Sequence, residues 1–292
     1  MTNEELMDME QDIVNLSLTL PDQSGRDRTV IKEQQALDIA AKHSVSLYEI
    51  YSTALKKGIL PYRYIRNLES ITVDEQLGLL RSRVSVIGAG GLGGQVILLL
   101  ARLGVGSLNV VDHDVFDETN LNRQALSSTD VIGKSKAETA KESVGKINPA
   151  VNVTAFHTRL DSSNAEKILK GSDVIVDALD NISDRFTLEI FAKNLAIPLV
   201  HGAVAGFEGQ IMTIFPDDEG MENIYGKNGN TANPEKNPVS ILGVPAVTPA
   251  IIASYQAIEV VKIILKKETL LRNMLVYIDL VKCESRKLKF KE

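Results

Sequence analysis

Short apolar runs alternate along this chain with longer stretches whose apolar residues recur every three or four positions. Val84–Ile87, Leu108–Val111, Val151–His157, Asp173–Ala178 and Pro198–Ala203 have the length expected of strands in a buried parallel sheet. Between them, Val96–Leu103, Val131–Lys146, Leu160–Lys170 and a segment from Asp184 and Arg185 to Asn194 read as helices. Strand–helix alternation of this kind predicts an α/β fold. Beyond Ala203 the pattern changes. Gly206 and Gly209 predict a turn into an antiparallel strand, Ile211–Phe215. Ala246–Lys267 predicts a long helix with Ile251, Tyr255, Ile258 and Val261 facing inward. Met274–Leu280 and a basic strand, Ser285–Lys291, complete a mixed sheet. Pro216–Pro238 is rich in Gly, Asn, Pro and acid, and loops this long are usually functional or disordered.

The N-terminal pattern is different. Residues 1–23 carry Glu4, Glu5, Asp8, Glu10, Asp12 and Asp22 without a lysine or arginine, so a solvated tail is expected. Leu6, Met9, Ile13 and Leu16 recur at helical spacing, and the alternative is a helix that docks on a partner. Ala36, Leu37, Ile39 and Ala40 mark one further helix; Leu47, Ile50, Tyr51 and Ala54 mark another. Ser46 with Glu49 forms a capping box for the second, and Gly58 stops it. The division expected is a helical N-terminal extension over 1–60 and an α/β unit over 61–292, with its nucleotide half at 61–200 and its substrate half at 201–292.

The chemistry concentrates between Arg83 and Lys136. The strand ending at Ile87 runs into Gly88, Gly90, Gly91, Gly93 and Gly94, and the next strand ends on Asp112 and Asp114. Glycines bring the backbone close to a ligand, and free N–H groups at a helix start point at an anion. An acid roughly 20 residues further on can hold a ribose hydroxyl. Strand, glycine turn, helix, strand and acid together predict a nucleotide site. Asn120–Gln124 (NLNRQ) and Gly133–Glu138 (GKSKAE) suit a triphosphate better than a nicotinamide dinucleotide. Arg123 offers a planar fork of donors to phosphate, and a lysine offers a point charge. Asp180 and Asn181 stand at the C-terminal end of a strand, where ligands gather in parallel sheets. A carboxylate there serves either as a helix N-cap or as a ligand.

Composition changes the picture only by exclusion. A net charge of −6 argues against a broad nucleic-acid surface, and against DNA binding by the paired N-terminal helices. No apolar stretch is read as membrane-spanning, and the N-terminus has no secretory pattern, so a cytoplasmic protein is expected. The lone cysteine, Cys283, rules out an intramolecular disulfide.

These motifs give the chain a clear resemblance to the ThiF/MoeB/HesA family, prokaryotic relatives of the ubiquitin-activating enzymes. The resemblance covers roughly Tyr62 to Lys267. It rests on RYIRN (Arg63–Asn67), GAGGLGG (Gly88–Gly94), DHD (Asp112–Asp114), NLNRQ, GKSKAE, INP (Ile147–Pro149) and DALDN (Asp177–Asn181), in the family's order. It implies a Rossmann-like mixed sheet with an ATP-binding half and a carrier-binding half. It also implies an adenylyltransferase that uses ATP and Mg2+ to activate the C-terminal glycine of a small ubiquitin-like sulfur-carrier protein ending in Gly-Gly.

The implied roles follow residue by residue. Gly88, Gly90, Gly91, Leu92 and Gly93 seat the phosphates. Asp112 holds the ribose, with help from Asp114. Asn120, Arg123, Gln124 and Lys136 neutralise the phosphates, Lys136 aligning with the family's catalytic lysine and Lys134 assisting or merely solvated. Asp180 holds magnesium beside Asn181, with Asp177 the weaker candidate. Arg66 reaches the ATP of the partner in a homodimer, and a crossover loop lies near Pro216–Pro238. Neither a membrane nor a nucleic acid is an expected partner. The alternatives are a same-fold enzyme acting on a carboxyl of modified tRNA or on a peptide, a non-catalytic nucleotide-binding regulator, and, last, a dehydrogenase.

Two departures stand out. Many members carry two Cys-x-x-Cys pairs for zinc, and with one cysteine no structural zinc of that type is expected. Where some relatives have a cysteine that bonds to the carrier, Asn237–Gly243 offers Val239 and Ser240, a poor acceptor without a base. Cys283, on a late strand, is not expected to be reactive.

Overall fold

The computed structural model describes residues 2–227 and 241–290. Val239 and Ser240, and the end of the long polar loop, lie outside the described residues.

The chain opens with α1 (Asn3–Leu16), β1 (Leu18–Pro21), β2 (Asp27–Ile31), α2 (Glu33–His43), α3 (Leu47–Lys56) and β3 (Leu60–Pro61). The extension is therefore not purely helical. β1 and β2 form an antiparallel hairpin, and β3 adds to β2 in parallel. The sequence signal for these strands is weak because they are short and half exposed. What holds their turn is Asp22, whose Oδ1 accepts from the Ser24 and Arg26 N–H groups and whose Oδ2 accepts from Arg28 Nε at 2.9 Å.

Nor are the first residues a solvated tail, or a helix set aside for a partner. α1 is capped by Thr2 and Glu5 and buries Met9 and Ile13 against its own chain. Ile13 is fully buried, so Ile13→Ala is expected to lower unfolding free energy by about 2–4 kcal/mol, the usual scale for a truncated core side chain. Denaturant unfolding would check this; a variant as stable as the parent would return α1 to the surface. The extension is fastened to the rest through two motifs. Arg63 Nη1 donates to Ile147 O at 2.9 Å while its other terminal nitrogen pairs with Glu33. Buried Asn148 donates to the Tyr64 hydroxyl at 2.8 Å and to Ala101 O at 2.9 Å. RYIRN and INP, far apart in sequence, thus meet in one joint.

The main unit holds α4 (Val73–Arg81), β4 (Arg83–Ile87), α5 (Gly91–Leu103), β5 (Ser107–Val111), α6 (Lys136–Ile147), β6 (Asn152–Phe156), α7 (Ala165–Leu169), β7 (Val174–Asp177) and α8 (Ile182–Asn194). It continues with β8 (Leu199–Ala205), β9 (Glu208–Ile214), α9 (Glu222–Tyr225), α10 (Val247–Ile264), β10 (Met274–Asp279) and β11 (Glu284–Lys289). The sheet runs β11-β10-β9-β8-β7-β4-β5-β6. β6, β5, β4, β7 and β8 are parallel, and β9, β10 and β11 continue the sheet antiparallel. It is the mixed α/β sheet that the strand pattern predicts. Ile87 lies opposite both Val111 and Asp177, and Val111 opposite Phe156, so these strands end together. From β4 the chain moves outward to β5 and β6, then returns to β7 on the other side. Gly88 and Ala178 therefore face each other at a topological switch point, the place where such sheets bind ligands.

Two helices begin elsewhere than the pattern suggests. α5 starts at Gly91, because the glycine turn is itself its first turn: Gly94 N donates to Gly90 O at 2.9 Å. α6 starts at Lys136, not Val131, which sits in a short turn preceding it, and this leaves Lys134 ahead of the helix. α10 is rotated from the expected setting. Ile251, Tyr255 and Ile258 are exposed, while Ile252, Ala253, Gln256, Ala257, Val260 and Val261 are buried. The cause is a polar pair that a hydropathy reading sends outward. Gln256 Nε2 donates to Asp177 O at 2.8 Å and Val200 O at 3.2 Å. Glu259 Oε2 accepts from Thr213 Oγ1 at 2.7 Å and Leu271 N at 2.9 Å. Buried polar groups with partners cost little, so packing on the sheet wins. By length and composition alone α10 could cross a membrane, contrary to the sequence reading, but half of it is buried within the fold and packs on α5, β8 and β9.

Candidate active site

The C-terminal ends of β4, β5 and β7 open into a cavity of about 460 Å³. Its floor is the glycine turn. Gly88 has φ +97°, and a Cβ there would stand 2.6 Å from Ala178 O. A Cβ on Gly93 would stand 1.8 Å from Gly88 O, so this residue lets α5 close on the strand. Gly90 and Gly91 have no such clash and line the cavity instead.

Asp112 is nearly buried and holds the turn: Oδ2 accepts from Ala89 N at 2.7 Å and Oδ1 from Asp114 N at 2.8 Å. Each oxygen keeps a lone pair for a further donor. Lys136, buried at the start of α6, donates to Asp114 Oδ2 at 2.9 Å. Burial works to raise the Asp114 carboxyl, but the Lys136 ammonium outweighs it and holds the group below its usual range. Arg123 donates through Nη1 to Thr119 O and Asn122 Oδ1, and its other guanidinium nitrogens have no hydrogen bond among the described residues. Gln124 is a buried residue of the wall, and its Oε1 has no hydrogen-bond partner among the described residues.

On the opposite side Asp180 is exposed in the lining and free of hydrogen bonds among the described residues. The N-cap of α8 is its neighbour: Asn181 Oδ1 accepts from Asp184 N at 2.8 Å. Asp177 is no candidate for metal. It is fully buried below the cavity, with Oδ2 2.7 Å from His201 Nδ1. Burial holds His201 below its usual pKa, with Asp177 opposing, so the ring is neutral and Nδ1–H donates. Tyr225 lies 3.3 Å from the other ring nitrogen and accepts from Arg185 Nη1 at 2.8 Å. Arg185 in turn binds Leu179 O through Nε at 3.2 Å and Nη2 at 2.5 Å, bracing the segment that carries Asp180.

The structure thus gathers Gly88, Gly90, Gly91, Leu92, Asp112, Asp114, Arg123, Gln124, Lys136, Asp180 and Asn181 around one space. Gly93 stands behind the turn. Asn120 does not line the cavity: it is buried, and its Oδ1 accepts from Asp117 N at 3.1 Å, shaping the loop that carries Arg123. Arg66 is exposed in the short helical turn Tyr62–Asn67, away from this cavity and without a hydrogen bond or ion pair among the described residues. The sequence reading missed Thr158, Arg159 and Leu160 after β6 and Pro249 on α10, none of which belongs to a motif. It also gave no site role to Asp184 and Arg185, which follow DALDN after Ile182 and Ser183.

The ThiF family model matches residues 62–292. The SAMP-activating enzyme E1 of Haloferax volcanii is 39% identical over 222 residues, which span 74% of this chain and 80% of the relative. A probable molybdopterin-synthase adenylyltransferase of Porphyra purpurea is 35% identical over 82% of this chain and 61% of its own length. A probable adenylyltransferase/sulfurtransferase MoeZ of Mycobacterium tuberculosis is 38% identical over 74% and 56%. The chain therefore spans little more than half of some of the curated relatives it matches. Among solved structures, E. coli MccB with ATP aligns at a TM-score of 0.63 and 22% identity over 79% of this chain and 71% of that one. PaaA aligns at 0.65 and 22%, over 79% and 82%. At such identities the likeness is one of fold.

Proposed function

The chain belongs to the ThiF family, and on that premise we propose that it adenylates the C-terminal glycine carboxylate of a small ubiquitin-like sulfur-carrier protein ending in Gly-Gly. ATP is the donor and pyrophosphate the leaving group. The observation that carries this reading is the cavity itself. A glycine turn at a helix start, an arginine with idle donors, a buried lysine and an unpartnered acidic group converge at the switch point of the sheet. The relatives named as adenylyltransferases and as an activating enzyme support it.

The residues fit ATP with magnesium. Gly90, Gly91 and Leu92 of the glycine turn line the cavity together with Arg123 and Lys136, a setting suited to phosphates. Asp180, exposed in the lining and without a hydrogen bond among the described residues, is the carboxylate that would hold magnesium. The ion, when bound, supplies charge neutralisation along the triphosphate.

An ionised carboxylate needs no general base at neutral pH. The carrier's carboxylate attacks the α-phosphorus, the bond to the bridging oxygen breaks, and negative charge moves onto pyrophosphate. Arg123 and Lys136 meet that charge. The Lys136–Asp114 pair holds the lysine side chain in place until a phosphate replaces Asp114 as its partner. Asp112, already bound to two amides, holds the ribose through its remaining lone pairs.

The unit acts as a homodimer in this reading, with Arg66 completing the partner's site. Support comes from the position of Arg66, exposed and clear of its own cavity, and from the apolar stripe Val247, Ile251, Tyr255 and Ile258 on the outer face of α10. No zinc is needed for this chemistry, and the cytoplasm, where ATP is available, is the proposed compartment.

ATP–pyrophosphate exchange tests the reading. With a panel of purified carriers ending in Gly-Gly, one or a few should support exchange that requires magnesium and disappears when the terminal glycine is removed. Exchange with no carrier, but a salt-sensitive association with tRNA, would move the substrate to nucleic acid.

A further inference from the structure

The cavity has two walls of different chemistry. The glycine turn, Arg123, Gln124 and Lys136 form the polar wall. Across the strand ends, Ile87, Val111, Leu160 and Leu188 form an apolar wall continuous with the core cluster under α7 and α8. Phosphates belong to the first, which leaves the second for the flat, largely apolar base.

Next to Leu160, and on the same helix as Leu188 near its start, the lining carries an ion pair that belongs to none of the motifs. Arg159 Nη2 donates to both Asp184 oxygens, at 2.7 and 2.8 Å. Both residues line the cavity. Each is held on its own side. Asn181 Nδ2 donates to Asp184 Oδ2 at 3.0 Å, and Asn164 Nδ2 donates to Arg159 O at 2.8 Å. The pair ties the segment after β6, which carries Leu160, to the first turn of α8, the helix that carries Leu188. Without it, the two sides of the apolar slot are joined there by no other side chain among the described hydrogen bonds.

We propose that the Arg159–Asp184 pair is a latch across the base end of the nucleotide cavity, setting affinity for the nucleoside part of the ligand and not for its phosphates. The proposal rests on the nucleotide reading above. Arg159 and Asp184 are positioning residues: they fix the spacing of the walls, and Leu160 and Leu188 touch the base.

The test is a double-mutant cycle on the full chain, with affinity measured by calorimetry for ATP·Mg and for inorganic tripolyphosphate. Arg159→Ala and Asp184→Asn should each weaken ATP about two- to fivefold, the scale of a largely exposed ion pair. The double variant should lose no more than either single one, because the two side chains act as one unit. Tripolyphosphate, which has no base, should bind all four proteins equally. Arg159 is mostly exposed, so its truncation leaves the fold intact. Additive losses, or an equal loss for tripolyphosphate, would overturn the latch and assign both residues to general charge or stability. A parent chain that binds ATP as tightly as Arg159→Ala overturns the latch alone; a parent that binds no ATP overturns the nucleotide reading with it.

Discussion

Mixing two inactive variants, Arg66→Ala and Lys136→Ala, is expected to restore adenylation. Each should be nearly dead alone. Arg66 lies in Tyr62–Asn67, clamped through Arg63 to Ile147 and Glu33 and through Tyr64 to Asn148. It is thus firmly held, exposed and outside its own cavity, which is what the proposed dimer requires of an arginine supplied to a second molecule. An arginine supplied in trans to a phosphoryl-transfer site is worth about 10³–10⁵ in rate. The lower end is expected here, because Arg123 and Lys136 share the charge. In a heterodimer one site has both an intact Lys136 and a donated Arg66. Random pairing then caps recovery at about a quarter of parental sites, by two-fold symmetry. The measurement is pyrophosphate exchange after subunit exchange, verified with differently tagged chains. No recovery under those conditions would place Arg66 in cis or outside the reaction.

Lys136→Ala by itself should cut exchange by about 10²–10³, the usual loss for one preorganised electrostatic contact. The fold should survive. The partner Asp114 is half exposed, so losing the pair costs stability on the order of 1 kcal/mol or less. The effect should therefore fall on catalysis, with thermal unfolding close to that of the parent. Cys283→Ser is the control: that thiol is exposed at the turn between β10 and β11, far along the chain from the cavity residues, and its loss should leave exchange unchanged. A fully active Lys136→Ala would remove the lysine from the site.

The two variants address different kinds of knowledge. That Lys136, Arg123, Asp112, Asp180 and the glycine turn line one cavity was legible from the sequence, because their placement depends on local order: a strand end, a turn, a helix start and short motifs between them. The parallel sheet was legible for the same reason, since short apolar runs alternating with helical stretches fit strands of a sheet covered on both faces. Neither the hairpin of β1 and β2 nor the burial of α1 was legible. Short half-exposed strands carry almost no periodicity, and an acidic helix with a narrow apolar stripe reads the same whether it packs on its own chain or on another.

Tertiary structure decided the rest. It turned α10 by about one residue, roughly 100°, because Gln256 and Glu259 find buried partners that hydropathy cannot foresee. It withdrew Asp177 from metal by giving it His201, and Asn120 from the lining by giving it Asp117. It brought Arg159 to Asp184 across 25 residues of sequence. The sequence by itself determined most strands and helices of the α/β unit and the motifs that stand at their ends, since both are written in adjacent residues. Which polar groups are already committed to one another, and which remain for a ligand, is a matter of contacts between distant segments, and only the packed chain settles it.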